Sequence, residues 1–369
     1  MRILVVAPGA THSTYDVYKY YVDAMQDTAG LDVSTFDYHN ILDWHYDALD
    51  YYFPHMEDDS KASIAFSRGS RELLVDVLVN RPDVVHIVSG TALPEFVWKH
   101  LTDIRSRLKE RFIISLHLTE CPYTDELQDS VAKYADVIFL NDKYSLKTFD
   151  PGNEKHVYYL PHSYNPKVHR PDYELDDRFY SDVFFTATPF RERGTFLAKV
   201  NWENINLKLG GMWNNYMLPE EYLKLERHIF THNPVKNDVM ARYYAGAKVA
   251  LNIHRTRMDV DGLTPELDNK QGAYSIGPRV FEAVACGSFL LTDFRQEAVD
   301  LFGDTIGYFD TPEDLQSQLN IYLNDDELRE NKILAAQEKI KGCTFKDRLD
   351  NIVLPVLHDV KEQYLTSKE

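Results

Sequence analysis

Short apolar runs alternate along this chain with segments whose apolar residues recur at helical spacing, and that rhythm limits the fold more than any other feature. RILVVAP opens the chain as a strand buried on both faces would. After the loop GATHST, Val17, Tyr20, Tyr21, Ala24 and Met25 fall on one helical face. LDVSTFDY resumes as a strand, and DVVHIVSG, LPEFVWKHLTDIRSRLK, RFIISLHL, DELQDSVAKYA, DVIFLN and HVYYLP continue the alternation. Strands alternating with helices predict an α/β fold with a parallel, doubly wound sheet.

The rhythm breaks at PHSYNPKVHRPDYELDD, residues 161–177, whose three prolines and mixed polar residues read as an interdomain linker. It then restarts. SDVFFTAT, INLKLGG, RHIFTHN, KVALNIH, SFLLTD and IGYFD read as strands between helical segments, and residues 325–365 read as helices. The expected architecture is two Rossmann-like domains, 1–165 and 166–345, with a last helix over 346–369 crossing back to the first. Two such halves create a cleft lined by the loops that follow their strands, because ligands of open parallel sheets sit beyond the strands' carboxyl ends. Residues 38–60 and 256–275 lack clean periodicity and read as irregular connections, either surface loops or a lid.

Charge narrows the partners. The chain carries 58 acidic against 40 basic residues, a net charge of −18, with no basic cluster. Nucleic acid as a tight partner and anionic membranes are therefore disfavoured. Three cysteines, without CxxC or Cys/His ligand spacing, argue against a structural zinc and a disulfide framework and fit a reducing, cytoplasmic setting. No apolar run reaches membrane-spanning length, so no membrane insertion is expected.

The candidate chemistry gathers in SIGPRVFEAVACGSFLLTD, residues 275–293. Pro278 fits a first helical turn, and Gly277 lets a group approach the backbone. The helix start presents N–H groups and a positive dipole end, ready for a phosphate. Arg279 can add a bidentate contact to that anion. Glu282 lies one turn on, and its carboxylate can accept two hydrogen bonds from vicinal hydroxyls or simply pair with Arg279.

PRVFEAVACGSFLLTD resembles the donor-binding helix and strand of GT-B glycosyltransferases, especially the CgeB-like, spore-maturation branch. HVYYLPHSYNP, SDVFFTATPFRERGTFL, LKLGGMWNN and VKNDVMARYYAGAKVALNIHR resemble further stations of that branch in the same order, spanning residues 156–303. The resemblance implies a transferase that uses a nucleotide-diphosphate sugar, most simply a UDP-sugar, as co-substrate, with no other cofactor and no metal. Glu282 would hold the ribose hydroxyls. Arg279, Gly277, Arg191 and Arg193 would meet the diphosphate. Gly211 and Trp213 would wall the base or sugar, and Asn252, His254 and Arg255 would end a strand beside the donor. Retaining relatives carry an acidic residue seven positions before the ribose-binding glutamate. Here that position is Ser275, which leaves the stereochemical outcome open.

The first half would hold the acceptor. Gly9, His12, Ser13 and Thr14 form the loop after the first strand, with Ser13 or Thr14 as a helix N-cap. His117 and Glu120 are candidate acid–base groups, and His117 reads equally as a buried, satisfied histidine. The acceptor could be a protein, a glycan, a small molecule or a modified nucleobase in DNA. DVD at 259–261 is the one metal-like motif, and arginines with a helix end can take its place. Two rivals share the fold: a nucleotide-sugar epimerase and a non-catalytic binding module. A dinucleotide enzyme would need a glycine fingerprint that APGATHST lacks.

Overall fold

Strands covered on both faces need helices above and below them, and that requirement builds both units of this protein. The computed structural model describes residues 1–9, 14–108, 112–150, 152, 156–213, 217–233, 235–255 and 272–366. The chain divides into one unit of Met1–Pro161 with Phe345–Glu369, and a second of His162–Thr344.

The first unit runs β1 (Arg2–Val6), α1 (Tyr15–Gln26), β2 (Asp32–Phe36), α2 (Tyr38–Tyr52), α3 (Asp58–Asn80), β3 (Val84–Val88), α4 (Glu95–Arg107), β4 (Ile113–Leu118), α5 (Asp125–Ala132), β5 (Val137–Leu140), α6 (Leu146–Phe149) and β6 (His156–Tyr159). Its sheet is parallel throughout, in the order β2-β1-β3-β4-β5-β6. Every residue of β3, β4 and β5 is buried, as their apolar sequences require. The segment expected to be irregular, 38–60, is instead the whole of α2 and the start of α3. Only the first turn of α2 is buried, through Tyr38, His39 and Leu42. Half-buried Ile41, His45, Ala48 and Leu49 continue that face beside α3, but the exposed rings of Trp44, Tyr51 and Tyr52 interleave with it and blur the helical period.

The second unit runs β7 (Ser181–Thr186), α7 (Arg191–Leu197), β8 (Leu207–Gly210), α8 (Pro219–Leu225), β9 (Ile229–Thr231), α9 (Asn237–Ala245), β10 (Ala247–Asn252), α10 (Pro278–Ala285), β11 (Phe289–Asp293), α11 (Gln296–Phe302), β12 (Gly307–Phe309), α12 (Pro312–Asn324) and α13 (Asp326–Lys339). Its parallel sheet is ordered β12-β11-β10-β7-β8-β9. Successive residues of β7 feed opposite cores, as the strand period dictates. Phe184 packs with Tyr244 and Phe281 on one face, and Phe185 with Trp213 and Leu251 on the other. Truncating either phenylalanine to alanine would cost about 3–5 kcal/mol.

The chain then returns to the first unit through α14 (Phe345–Arg348), a π-helical turn (Leu349–Val353) and α15 (Leu354–Thr366). The Phe345 ring lies 5.2 Å from that of Tyr20 and 5.1 Å from that of Tyr21. Lys361 pairs with Asp83 at 3.3 Å, and the Tyr364 hydroxyl donates to Asp136. Among the described residues, no helix is long and apolar enough to cross a membrane.

Candidate functional site

In the second unit the strand order reverses between β7 and β10, so the loops leaving their carboxyl ends diverge there. Arg193, from the first turn of α7, bridges the two. Its Nε donates to the Ile253 carbonyl at 2.9 Å and its Nη1 to the Thr188 carbonyl at 2.7 Å. The side chain is buried and its guanidinium lies over the Phe190 ring. Arg193, expected to meet a diphosphate, thus links the two loops that frame the site. Arg191, two residues earlier, is exposed at the head of α7.

α10 faces this region with Gly277 as its N-cap and Pro278 in its first turn. Among the described residues, a Cβ placed on Gly277 would meet nothing within 4 Å. Arg279 is half-buried, and its Nε has no hydrogen-bond partner among the described residues. Glu282 is 6% exposed. Its described contacts run away from Arg279: Asn237 Nδ2 donates to Glu282 Oε1 at 3.3 Å, and His169 Nε2 stands 3.8 Å from the same oxygen. The direction of this chain follows from its far end. His169 Nδ1 accepts from the Asn165 N–H at 3.0 Å, which puts the ring proton on Nε2, facing Asn237 Oδ1 at 3.2 Å. Asn237 accepts on one side and donates on the other. A buried carboxylate that would be costly unpaired is held in place by neutral groups. The sequence quoted His169 only as linker and Asn237 only as a helix start.

A second network closes the strand ends. Asp293, the last residue of β11, accepts from the His254 backbone N–H at 3.0 and 3.1 Å and from its Nδ1 at 2.5 Å. Asn252 Nδ2 stands 3.2 Å from His254 Nε2 and donates to Thr292 Oγ1 at 2.9 Å. Burial pushes the His254 imidazole below its ordinary range; Asp293 opposes this, and Arg295 and Arg193 add to it. Burial would raise the Asp293 carboxyl, yet His254 and Arg295 outweigh it and hold it below the usual carboxylate range. Arg295 is 1% exposed and donates through Nη2 to the Arg255 carbonyl at 3.1 Å. Neither Asp293 nor Arg295 was found by sequence reading, although both sit at a strand's carboxyl end, where the loop rule directs attention.

Trp213, expected to wall the base or sugar, lies inside the unit. It is fully buried, its indole N–H donates to the Gly210 carbonyl at 3.1 Å, and its ring packs on Phe185 at 5.8 Å. It braces the turn after β8 and offers no face to a base. Gly211 in that turn has φ +126°, and a Cβ there would lie 2.6 Å from the Ala187 carbonyl oxygen. The Gly210–Gly211 turn therefore lies against the loop leaving β7.

In the first unit the strand order reverses between β1 and β3. Gly9 has φ +78°, and a Cβ on it would meet Ala92 at 2.8 Å and the Tyr38 ring at 2.9 Å. His39 Nδ1 donates to the Gly9 carbonyl at 2.5 Å. The start of α2 thus clamps the glycine turn, a role that sequence reading missed. Thr14 is the N-cap residue of α1, but its side chain makes no capping hydrogen bond. His12 and Ser13 lie outside the described residues, as does DVD at 259–261. His117 is buried on β4, edge-on to the Tyr21 ring at 5.2 Å, and half-buried Glu120 lies in the turn beyond. Among the described residues, no three His, Cys, Asp or Glu side chains group as metal ligands would.

Comparison with known proteins converges on one kind. Residues 191–353 match the family model described as glycosyl transferase-like. Spore protein CgeB of Bacillus subtilis is 23% identical over 281 residues, covering 75% of this chain and 83% of that protein. The structure of sucrose-phosphate synthase from Thermosynechococcus elongatus matches with a TM-score of 0.62 at 11% identity, covering 100% of both chains. An Anabaena protein solved with UDP-glucose matches with a TM-score of 0.59 at 11% identity, over 99% of this chain and 100% of that one. An α-glucosyltransferase solved with UDP and a DNA 13-mer matches with a TM-score of 0.61 at 13% identity, over 97% of this chain and 99% of that one.

Proposed function

We propose that this chain, which has the GT-B fold and matches a glycosyl transferase-like family model over residues 191–353, moves a sugar from a nucleotide-diphosphate sugar to an acceptor hydroxyl. The observation that carries the reading is the Glu282 carboxylate, buried on α10 and oriented by Asn237 and His169 one turn from Arg279. A carboxylate so held accepts hydrogen bonds from the two ribose hydroxyls without reorganising. The start of α10, the Nε of Arg279 and the exposed guanidinium of Arg191 face the diphosphate. They stabilise the charge that grows on it as the anomeric bond breaks. Arg193 and Trp213 act behind them by fixing the loops.

A UDP-sugar is the donor this reading favours, because two of the matched structures hold UDP or UDP-glucose. The cationic groups replace a metal at the diphosphate. Retention is the favoured course. His117 is 3% exposed, a poor position for taking a proton from an acceptor, so the leaving phosphate takes it. The acceptor binds to the first unit, near the Gly9 turn.

A panel of UDP-, GDP- and dTDP-sugars tests the proposal by thermal shift and by nucleotide release with and without sugar acceptors. A ligand that binds only the folded state raises the melting temperature. The proposal expects one donor to do so and to release nucleotide faster when acceptor is present. A panel that neither shifts melting nor releases nucleotide would refute it. Isomerised donor would identify an epimerase, and tight binding with no turnover a binding module.

A further inference from the structure

One surface of the first unit combines aromatic rings and carboxylates that its own core does not use. Beyond its buried first turn, α2 turns its rings to solvent: Trp44 is 67% exposed, Tyr51 79%, Tyr52 71%, and Phe53 just past the helix end 54%. Trp44 and Tyr51 are two helical turns apart on one face, about 10 Å along the axis at 1.5 Å per residue. Asp47 projects between them, and Asp43, Asp50, Glu57, Asp58 and Asp59 are exposed around them. Residues 38–60 contain no lysine or arginine. The first base, Lys61, is 2% exposed, and its ammonium is bonded to Asp50 at 2.7 Å and Asp58 at 3.2 Å. Residues 38–60 are therefore an acidic and aromatic stretch, and the base that follows them is buried and paired.

Exposed rings in such number mark an interaction site more often than chance. Their faces carry negative quadrupole charge and, like the carboxylates, attract ammonium and guanidinium groups. An anionic lipid or nucleic-acid backbone is repelled here. A second copy of this chain would bring the same acidic face and a net charge of −18. A stacked sugar chain wants coplanar rings, whereas Tyr51 and Tyr52 stand at 88° to each other. We propose that the Trp44–Phe53 face is a docking surface for a lysine- and arginine-rich segment of a partner protein. This inference rests on the first unit alone and is independent of the donor-site reading.

The test uses the full chain and a fluorescent peptide of alternating lysine and arginine at physiological salt. Saturable 1:1 binding is expected. W44A/Y51A, which leaves net charge unchanged, should weaken it about tenfold, the loss of two cation–π contacts. D43N/D47N should weaken it and flatten its salt dependence, and maltohexaose should not compete. The altered side chains are solvent-exposed, so circular dichroism and melting should match the parent. If W44A/Y51A is misfolded, Y52A and F53A take its place with the same readout. Unchanged binding by the folded aromatic variants would reduce the effect to net charge and overturn the proposal. So would displacement by maltohexaose, or self-association abolished by the same variants.

Discussion

Arg193 and Ile253, sixty positions apart in sequence, are joined by a hydrogen bond of 2.9 Å from the guanidinium Nε to the carbonyl. That bond crosses the point where the strand order of the second unit reverses, so one side chain sets the distance between the loops after β7 and β10. Arg193→Ala leaves two carbonyls without this donor. The Thr188 carbonyl still accepts from the Phe190 N–H at 2.9 Å, so the expected cost is about 1–3 kcal/mol, that of one buried unsatisfied group. Melting should fall by roughly 2–4 °C per kcal/mol for a unit of this size. Donor affinity should fall as well, because the loops lose their brace. Arg193→Lys should recover stability only in part, since an ammonium cannot reproduce the planar fork. A variant that melts like the parent would show that the bridge does not hold these loops.

Gly211 tests the same framework from the other side. Its positive φ and the nearby Ala187 oxygen leave no room for a methyl group. Gly211→Ala should destabilise by roughly 1–3 kcal/mol and weaken donor binding. Denaturant titration reads the first effect, and calorimetric titration with nucleotide the second.

Acid should unfold this protein by way of histidines held neutral. Burial pushes His86 and His162 each down to about 4. Their unfolded values lie near 6.5, so between those limits the unfolded chain binds more protons and stability falls as pH falls. For His86 alone the loss by pH 4 is about 3 kcal/mol. Urea midpoints measured from pH 7 to pH 4.5 should decline across that window. His86→Leu should flatten the decline by its own share whatever it does at pH 7; an unaltered slope would contradict the assignment.

Chelation supplies a further check. If Arg279, Arg191 and the start of α10 neutralise the diphosphate, an excess of EDTA leaves donor-dependent nucleotide release unchanged. Release abolished by EDTA and restored by a divalent cation would place a metal in that role.

Legibility in the sequence followed physical depth. The buried strands were readable because both faces demand apolar side chains, and the start of α10 because Gly277, Pro278, Arg279 and Glu282 mark a helix end by local chemistry. α2 was not readable, since the exposed rings of Trp44, Tyr51 and Tyr52 interleave with its half-buried face and blur the period. The role of Trp213 was missed because sequence gives no depth: a tryptophan after two glycines reads alike as a stacking face or a core anchor. Asn237, His169, Asp293 and Arg295 act through contacts between residues far apart in sequence, among them a 45-position step from Asn237 to Glu282. No local pattern records such contacts.

The most direct test is calorimetric titration of UDP into the parent protein and Glu282→Gln, which keeps the side chain's shape. The account predicts that the parent binds and that the variant binds about 10–100-fold more weakly, the loss of charge-assisted hydrogen bonds worth roughly 1.5–3 kcal/mol, with its melting temperature nearly unchanged. Equal affinity in the two proteins would contradict it.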